Sequence, residues 1–309
     1  MGIVAINLKA WDLPLRPLTR FAPSPTGYLH LGHVANAIYV WGLAQATGGQ
    51  VLLRLEDHDR TRCRAEYEAA ILEDLEWLGL EPDLGLPDEF RAGASRYRQS
   101  DNAGRYEAAL ARLGKEALVY GCDCSRKDIA GGRAIPNQET RYDGRCRTRQ
   151  LATAAGRGVR VAIEAGVEQF TDAILGEQKQ NPSVQCGDLL VRDRLGHWTY
   201  QFTVTVDDLE QNVNLVIRGQ DLLDSTGRQI RLARMLGRKN APAFLHHALI
   251  RSPSGAKLSK ANRDTGIRDL RAANWSPESV LGQAAHLTGL TDSVRPLRPR
   301  HLAGLFELK

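Results

Sequence analysis

Apolar positions in the N-terminal part of the chain alternate between short continuous runs and longer stretches with helical spacing. Residues 13–23 (LPLRPLTRFAP) predict a strand that runs into a proline turn, and residues 50–57 (QVLLRLED) predict a strand that ends in acids. Between them, residues 30–49 predict a helix, because Ala, Ile, Val and Leu recur at helical spacing. Gly48 and Gly49 would end that helix.

Two further helices are predicted downstream. Residues 64–80 are amphipathic and stop at Gly79, and residues 100–124 open on Ser100 and Asp101, which suit a helix N-cap. An order of strand, helix, strand, helix is typical of an α/β domain with a parallel sheet. We therefore expect a Rossmann-like fold.

The pattern changes in the middle of the chain. Residues 121–186 are rich in Gly, Arg and Gln with little long periodicity, which favours an inserted module. The α/β pattern returns with two strand-like runs in residues 197–221 and a helix in 225–237. The predicted organisation is a catalytic domain of residues 1–120 and 187–263, an insert of 121–186 and a short helical C-terminal segment of 264–309.

Composition narrows the class only slightly. The chain has 309 residues, a formal net charge of +5 and a pI near 9.0, which is weak support for an anionic partner such as nucleic acid. We find no secretion signal and no apolar run that could span a bilayer. An odd number of cysteines, five, argues against a disulfide framework. We expect a cytoplasmic, monomeric protein without a membrane partner.

The stretch RFAPSPTGYLHLGH, residues 20–33, follows the first predicted strand. Its prolines stiffen a turn, and Gly32 would let a ligand lie close to the backbone. His30 and His33 fall on one face of the first helical turn, where imidazoles could hydrogen-bond phosphate oxygens. The alternative is a surface or capping pair without a ligand.

A second motif, GAKLSKAN, occupies residues 255–262. Lys257 and Lys260 could stabilise a phosphate during nucleotidyl transfer from a mobile loop. Taken alone, the motif is a common lysine-rich loop.

Together the two motifs resemble the paired signatures of class I aminoacyl-tRNA synthetases. RLEDHDRTR, TYQFTVTVDD and VIRGQDLLDSTGRQ make the stretch from Arg20 to Asn262 similar to the glutamyl-tRNA synthetase catalytic domain. This resemblance implies a HUP-type Rossmann fold and activation of L-glutamate by ATP with Mg²⁺. The implied catalytic residues are His30, His33, Lys257 and Lys260, and the implied ATP-binding residues are His30, Gly32, His33 and Lys260.

A glutamate pocket must bind two carboxylates and one ammonium group. Arg20 and Arg218 could bind the carboxylates, and Glu56 could bind the ammonium. The resemblance places glutamate contacts at these positions and also at Ala22, Pro23, Ser24 and Tyr200. The alternative is a solvated ion-pair cluster at a strand end, formed by Arg54, Glu56, Asp57 and Asp59.

Three cysteines in a short stretch, Cys122, Cys124 and Cys146, suggest one structural Zn²⁺ ion. No histidine lies nearby, so the fourth ligand could be Tyr142, Asp143 or Cys186. Short relatives of the synthetase family use a Tyr-x-x-x-Cys pair here, which favours Tyr142. The alternative is a set of reduced thiols without metal.

The chain stops soon after the lysine motif, so we expect no anticodon-binding domain. Stand-alone short relatives attach glutamate to queuosine in the anticodon loop of tRNA(Asp), and the resemblance implies that partner. The residue before Asp221 is Gln220, whereas the longer enzymes tend to have an acidic residue at this position. Basic stretches at 141–149 and 295–301 are candidates for RNA contact.

Three alternatives stay open. One is a truncated glutamyl-tRNA synthetase that charges the 3′ end of tRNA(Glu). The second is a nucleotidylyltransferase of the same superfold, and the third is a non-catalytic tRNA-binding relative.

Overall fold

A computed structural model describes residues 5–6, 13–130, 140–149, 151–250 and 266–308. Its strands are, in chain order, β1 Ala5–Ile6, β2 Leu18–Phe21, β3 Gln50–Leu53, β4 Val119–Cys122, β5 Gly158–Val161, β6 Glu168–Asp172, β7 Gly176–Gln180, β8 Leu189–Arg192, β9 Leu215–Gly219, β10 Ala243–His247 and β11 Glu307–Leu308. Its α-helices are α1 Leu31–Thr47, α2 Ala65–Leu78, α3 Pro87–Ala92, α4 Ala103–Glu116, α5 Arg126–Ala130, α6 Pro182–Gln185, α7 Tyr200–Glu210, α8 Thr226–Met235, α9 Ile267–Ala272 and α10 Pro277–Leu287. Short 3₁₀ turns occupy Gln99–Asn102, Gln220–Ser225 and Pro299–Leu305.

Parallel strands form the centre of the fold. β2 pairs with β3, and β9 pairs with β10, both in parallel. Asn214, just before β9, links the two pairs: its backbone N–H donates to the Leu18 carbonyl at 3.1 Å and its Oδ1 accepts from the Leu18 N–H at 2.7 Å. β2 and β9 therefore lie side by side without a regular ladder between them, and that separation leaves room for side chains at their carboxyl ends.

Helix α1 packs on this sheet through an almost continuous apolar surface that includes Ile38, Val40 and Leu43. Gly48 ends the helix in the left-handed conformation, with φ of 64°, as the sequence predicts. Leu302 and Phe306 of the C-terminal segment belong to the same core. The predicted helical character of that segment is confirmed by α9, α10 and the last 3₁₀ turn.

The predicted insert contributes to two sheets. β4, β5 and β8 form an antiparallel sheet, while the hairpin of β6 and β7 joins the parallel sheet where Asp172 of β6 pairs with Phe244 of β10. The domain boundaries stay a prediction, but the described pairing ties part of residues 121–186 directly to β10. This contact brings Asp172 next to the strand that carries His246.

Two predicted elements are wrong. The first strand-like run in 197–221 is helix α7, and residues 202–208 are buried without exception. A helix that is buried all round lacks the polar face that produces helical periodicity, so its sequence imitates a strand. The predicted helix 100–124 ends at Glu116, and strand β4 follows from Val119.

Within the described residues, no helix combines the length and the apolar character that a bilayer span requires.

Candidate active site

A cleft of about 540 Å³ opens at the carboxyl ends of β2 and β9, beside the N-terminus of α1. Parallel α/β sheets commonly bind ligands at this edge. Most of the residues singled out from the sequence line it, namely Arg20, Ala22, His30, Gly32, His33, Glu56, Tyr200 and Arg218. Pro23 and Ser24 belong to the turn after β2 but do not line the cleft, so their contact with glutamate stays a prediction.

The two histidines form a reciprocal cap at the start of α1. His30 Nδ1 accepts from the Gly32 N–H at 3.0 Å, and His33 Nδ1 accepts from the His30 N–H at 3.1 Å. Because both Nδ1 atoms accept, the neutral rings carry their protons on Nε2. The pair therefore caps the helix and also lines the cleft, so the two interpretations of the motif are compatible.

Gly32 lies in close contact with this pair. A Cβ atom at Gly32 would approach His30 Cε1 to 2.8 Å, closer than such contacts allow. A side chain at Gly32 would therefore force the His30 ring to shift from this position.

Lys257 and Lys260 lie outside the described residues. Ile250 is the last described residue before their segment, and it lines the cleft. Gly266 is the first described residue after it, and it forms a β-bridge with His30. Their role stays a prediction.

Arg218 is buried, with 4% of its surface exposed, and its partners are neutral. Nε donates to His246 Nε2 at 3.0 Å, Nη1 to Gln229 Oε1 at 2.7 Å and Nη2 to Thr226 Oγ1 at 2.8 Å. None of its hydrogen-bond partners among the described residues is a carboxylate. Burial lowers the pKa of Arg218, and the nearby Arg20 cation lowers it further, although Tyr200 and the Asp208 carboxylate oppose them. The cleft thus contains a guanidinium whose charge a bound anion would neutralise.

Arg20 and Arg54, by contrast, share a carboxylate. Asp208 Oδ1 accepts from Arg20 Nε at 3.2 Å and from Arg54 Nη1 at 2.8 Å. Burial alone raises the pKa of Asp208, but the two cations more than offset this and hold its pKa below the usual value. The Asp208 carboxylate therefore fixes Arg20 at the wall of the cleft.

Glu56 is held by the same network. Arg54 Nη2 donates to Glu56 Oε1 at 3.1 Å, and Glu56 lines the cleft. The alternative interpretation, an ion-pair cluster exposed to solvent, is wrong because these residues are buried. Arg54, Glu56 and Asp57 are 0%, 6% and 0% exposed. Burial, with Glu56 nearby, raises the pKa of Tyr200, which keeps its hydroxyl protonated.

The thiols of Cys122, Cys124 and Cys146 converge, with all three Sγ atoms within 4.8 Å of one another. Tyr142 Oη lies 3.5 Å from Cys122 Sγ and accepts from the Cys146 N–H at 3.0 Å. The other two candidate ligands point elsewhere. Cys186 Sγ donates to the Pro182 carbonyl, and Asp143 pairs with Arg145.

Several residues that hold the two cleft arginines were not singled out from the sequence. They are Asp208, Thr226, Gln229 and His246. Asp208 lies in a run that predicts a strand, and acids within such an apolar run are the one feature that could have pointed to a buried ion pair.

Comparisons with known proteins identify the family of the chain. The family described as tRNA synthetases class I (E and Q), catalytic domain, matches residues 18–294. The chain therefore belongs to the class I tRNA synthetases of this group.

Two relatives are similar to this chain over most of their length. The chain is 40% identical to a Glutamyl-Q tRNA(Asp) synthetase from Symbiobacterium thermophilum, over 94% of this chain and 92% of that protein. It is 36% identical to one from Nitratidesulfovibrio vulgaris, over 93% and 90%. A crystal structure of a glutamate tRNA ligase from Elizabethkingia meningosepticum in complex with its amino acid has a TM-score of 0.71 and 26% identity. That match covers 87% of this chain and 60% of the ligase.

The shared carboxylate makes stability depend on pH. The pKa of Asp208 is lower in the folded protein than the usual Asp value of about 3.9, which applies to the unfolded chain. The ionised carboxylate therefore stabilises the fold fully above about pH 3.9, and this stabilisation is lost as the pH falls through the pKa of the folded state. Asp208→Asn leaves Arg54 short of its partner, so we expect the free energy of unfolding at pH 7 to fall by about 3–5 kcal/mol. Urea unfolding from pH 7 to pH 3 measures both effects.

The difference between the wild type and Asp208→Asn should shrink below about pH 4. Asp88→Asn is the control, because the Asp88 side chain is 93% exposed and should change little. An Asp208→Asn protein as stable as the wild type at pH 7 would contradict the assigned role.

Proposed function

We propose that this chain activates L-glutamate with ATP to glutamyl-adenylate and transfers the glutamate to the queuosine base in the anticodon loop of tRNA(Asp). The observation that carries the proposal is buried Arg218, which has neutral partners and faces a cleft shared with Glu56 and the histidine pair. Such a cation favours a ligand with a carboxylate. The name of the relatives that match over most of their length supports the acceptor.

The pocket suits each charge of glutamate. Arg218 would take the side-chain carboxylate, since it has no acidic partner among the described residues. Of the two N–H groups left on its terminal nitrogens, one is used by the Tyr200 hydroxyl, and the other could donate to a carboxylate. Arg20 would hold the α-carboxylate and Glu56 the ammonium group. Glutamine would leave the Arg218 charge unneutralised.

In the first step an α-carboxylate oxygen attacks the α-phosphorus of ATP, and pyrophosphate leaves. His30 and His33 can donate from Nε2 to the phosphate oxygens as negative charge develops. Gly32 keeps the backbone accessible beside them. Lys257 and Lys260 are proposed to share this role, and Mg²⁺ accompanying ATP would neutralise the triphosphate.

In the second step a hydroxyl of the queuosine ring attacks the acyl carbon, and AMP leaves. A second cavity of about 480 Å³ adjoins the cleft through Tyr200, which lines both. Thr199, Gln201, Arg160, Arg228 and the Asp188 carboxylate also line it, and such polar and charged groups could hydrogen-bond a hydroxylated nucleotide. We propose that the acceptor base enters here.

Transfer of labelled glutamate distinguishes the acceptors. With ATP, we expect label on tRNA(Asp) that carries queuosine and none on tRNA(Asp) that lacks it. An unmodified tRNA(Glu) transcript should also stay unlabelled. Acid-precipitable label and glutamate-dependent ATP–pyrophosphate exchange are the measurements.

Label on tRNA(Glu) alone would replace the proposal by 3′-end charging, an activity suggested by the name of the glutamate tRNA ligase of which this chain covers 60%. Absence of glutamate-dependent exchange would refute activation altogether and favour a non-catalytic RNA-binding protein.

We also propose that Cys122, Cys124, Cys146 and Tyr142 hold one Zn²⁺ ion. The proposal is supported by three convergent thiols, which are typical ligands of a structural zinc site, and the adjacent phenol would supply the fourth ligand. The ion would stabilise the surrounding segment, which has only a small apolar cluster of its own. It would supply no chemistry to the cleft.

Metal analysis of the purified protein tests this site. We expect one zinc per chain, a loss of zinc and of thermal stability in Cys146→Ser, and weaker zinc retention in Tyr142→Phe. Cys186→Ser is the matched control, because Cys186 donates to a carbonyl. Equal zinc content in all three variants would exclude the assigned ligands.

A further inference from the structure

A chain of hydrogen bonds connects the glutamate pocket with the β6–β7 hairpin. Asp172 Oδ2, at the end of β6, lies 2.7 Å from His246 Nδ1 on β10, and both side chains are 0% exposed. His246 Nε2 accepts from Arg218 Nε at 3.0 Å. Asp172 and His246 are thus the groups behind the arginine that faces the cleft.

The chain fixes the tautomer of His246. Because Arg218 Nε always donates, His246 Nε2 must be unprotonated, and the ring proton must lie on Nδ1 and point to Asp172. Burial lowers the pKa of His246, and the Arg218 cation also lowers it, although Asp172 opposes them. The ring is therefore neutral and leaves Arg218 without an anionic partner, although Asp172 is one residue away in the chain of hydrogen bonds.

The second oxygen of Asp172 is also used. Oδ1 accepts from the backbone N–H groups of Ile174 and Leu175 at 3.0 and 2.9 Å, within the turn between β6 and β7. One carboxylate thus shapes the turn of the hairpin and orients the imidazole. A change in the hairpin would therefore reach Arg218 through a single rigid ring.

We propose that Asp172 and His246 are positioning residues that hold the Arg218 guanidinium in the orientation for a carboxylate, so that the β6–β7 hairpin sets the affinity for the acidic amino acid. This inference rests on the proposed activation of glutamate. It assigns a specificity role to a part of residues 121–186 that lies outside the cysteine cluster.

The geometry predicts which replacements can substitute for His246. Glutamine can present an amide oxygen near the position of the Nε2 atom and accept from Arg218, whereas leucine fills the space without an acceptor. Asp172→Asn introduces an N–H donor that must face either the turn or the ring. If the new N–H donor faces the ring, His246 Nδ1 must accept from it, and the ring proton moves from Nδ1 to Nε2. The Nε2–H group then points at the Arg218 N–H and cannot accept from it.

The test is steady-state ATP–pyrophosphate exchange in full-length variants. We expect His246→Leu and Asp172→Asn to raise the KM for glutamate about 10- to 100-fold, with the KM for ATP within about threefold of the wild type. His246→Gln should recover most of the glutamate affinity. Thermal unfolding of each variant checks that it is folded.

Glu168→Gln is the matched control. Glu168 is a buried carboxylate on the same strand, and it pairs with Arg231 and Arg234 of α8 and not with the chain of bonds to Arg218. This variant should lose thermal stability but keep its KM for glutamate within about threefold.

The outcomes separate the inference from the proposed function. A wild-type protein without glutamate-dependent exchange would refute the function. An active wild type with an unchanged glutamate KM in His246→Leu, or with equal losses in Glu168→Gln and Asp172→Asn, would overturn the positioning role. If His246→Leu does not fold, Asp172→Asn and His246→Gln decide the question by the same comparison.

Discussion

The site depends on one buried cation. Arg218 is almost fully buried, yet its described acceptors are a histidine, a glutamine and a threonine. A buried guanidinium that is not hydrogen-bonded to a carboxylate is costly, so a ligand carboxylate in the cleft would be favoured. The neighbouring Arg20 differs, because it is ion-paired with Asp208. This contrast between the two arginines is the basis of our proposal that the cleft binds a carboxylate.

The fold creates the space for this arrangement. β2 and β9 are joined by Asn214 and not by a ladder, so the Arg20 side chain of β2 can reach the Ile217 carbonyl of β9 at their carboxyl ends. Helix α1 begins at the same edge and brings its histidine cap to the cleft. The strand ends and the helix N-terminus thus converge on one cleft, as expected for a parallel α/β sheet.

Local chemistry explains what the sequence could predict. Proline and glycine turn signals and the spacing of apolar residues predict β2, α1 and β3. The motifs at residues 20–33 and 50–57 predict that Arg20, His30 and Glu56 belong to the site. Helix α7 was not predictable in this way, because burial on all sides removes its periodicity. The contact between Asp172 and His246, 74 residues apart, and the pairing of β6 with β10 arise only from tertiary packing.

The most direct test of the central claim is the unfolding temperature of Arg218→Met, with and without glutamate. The account predicts that glutamate, but not glutamine, raises the unfolding temperature of the wild type. It also predicts that glutamate does not raise the unfolding temperature of the variant, because methionine cannot donate hydrogen bonds to a carboxylate. A variant that glutamate still stabilises as much as the wild type would contradict the account.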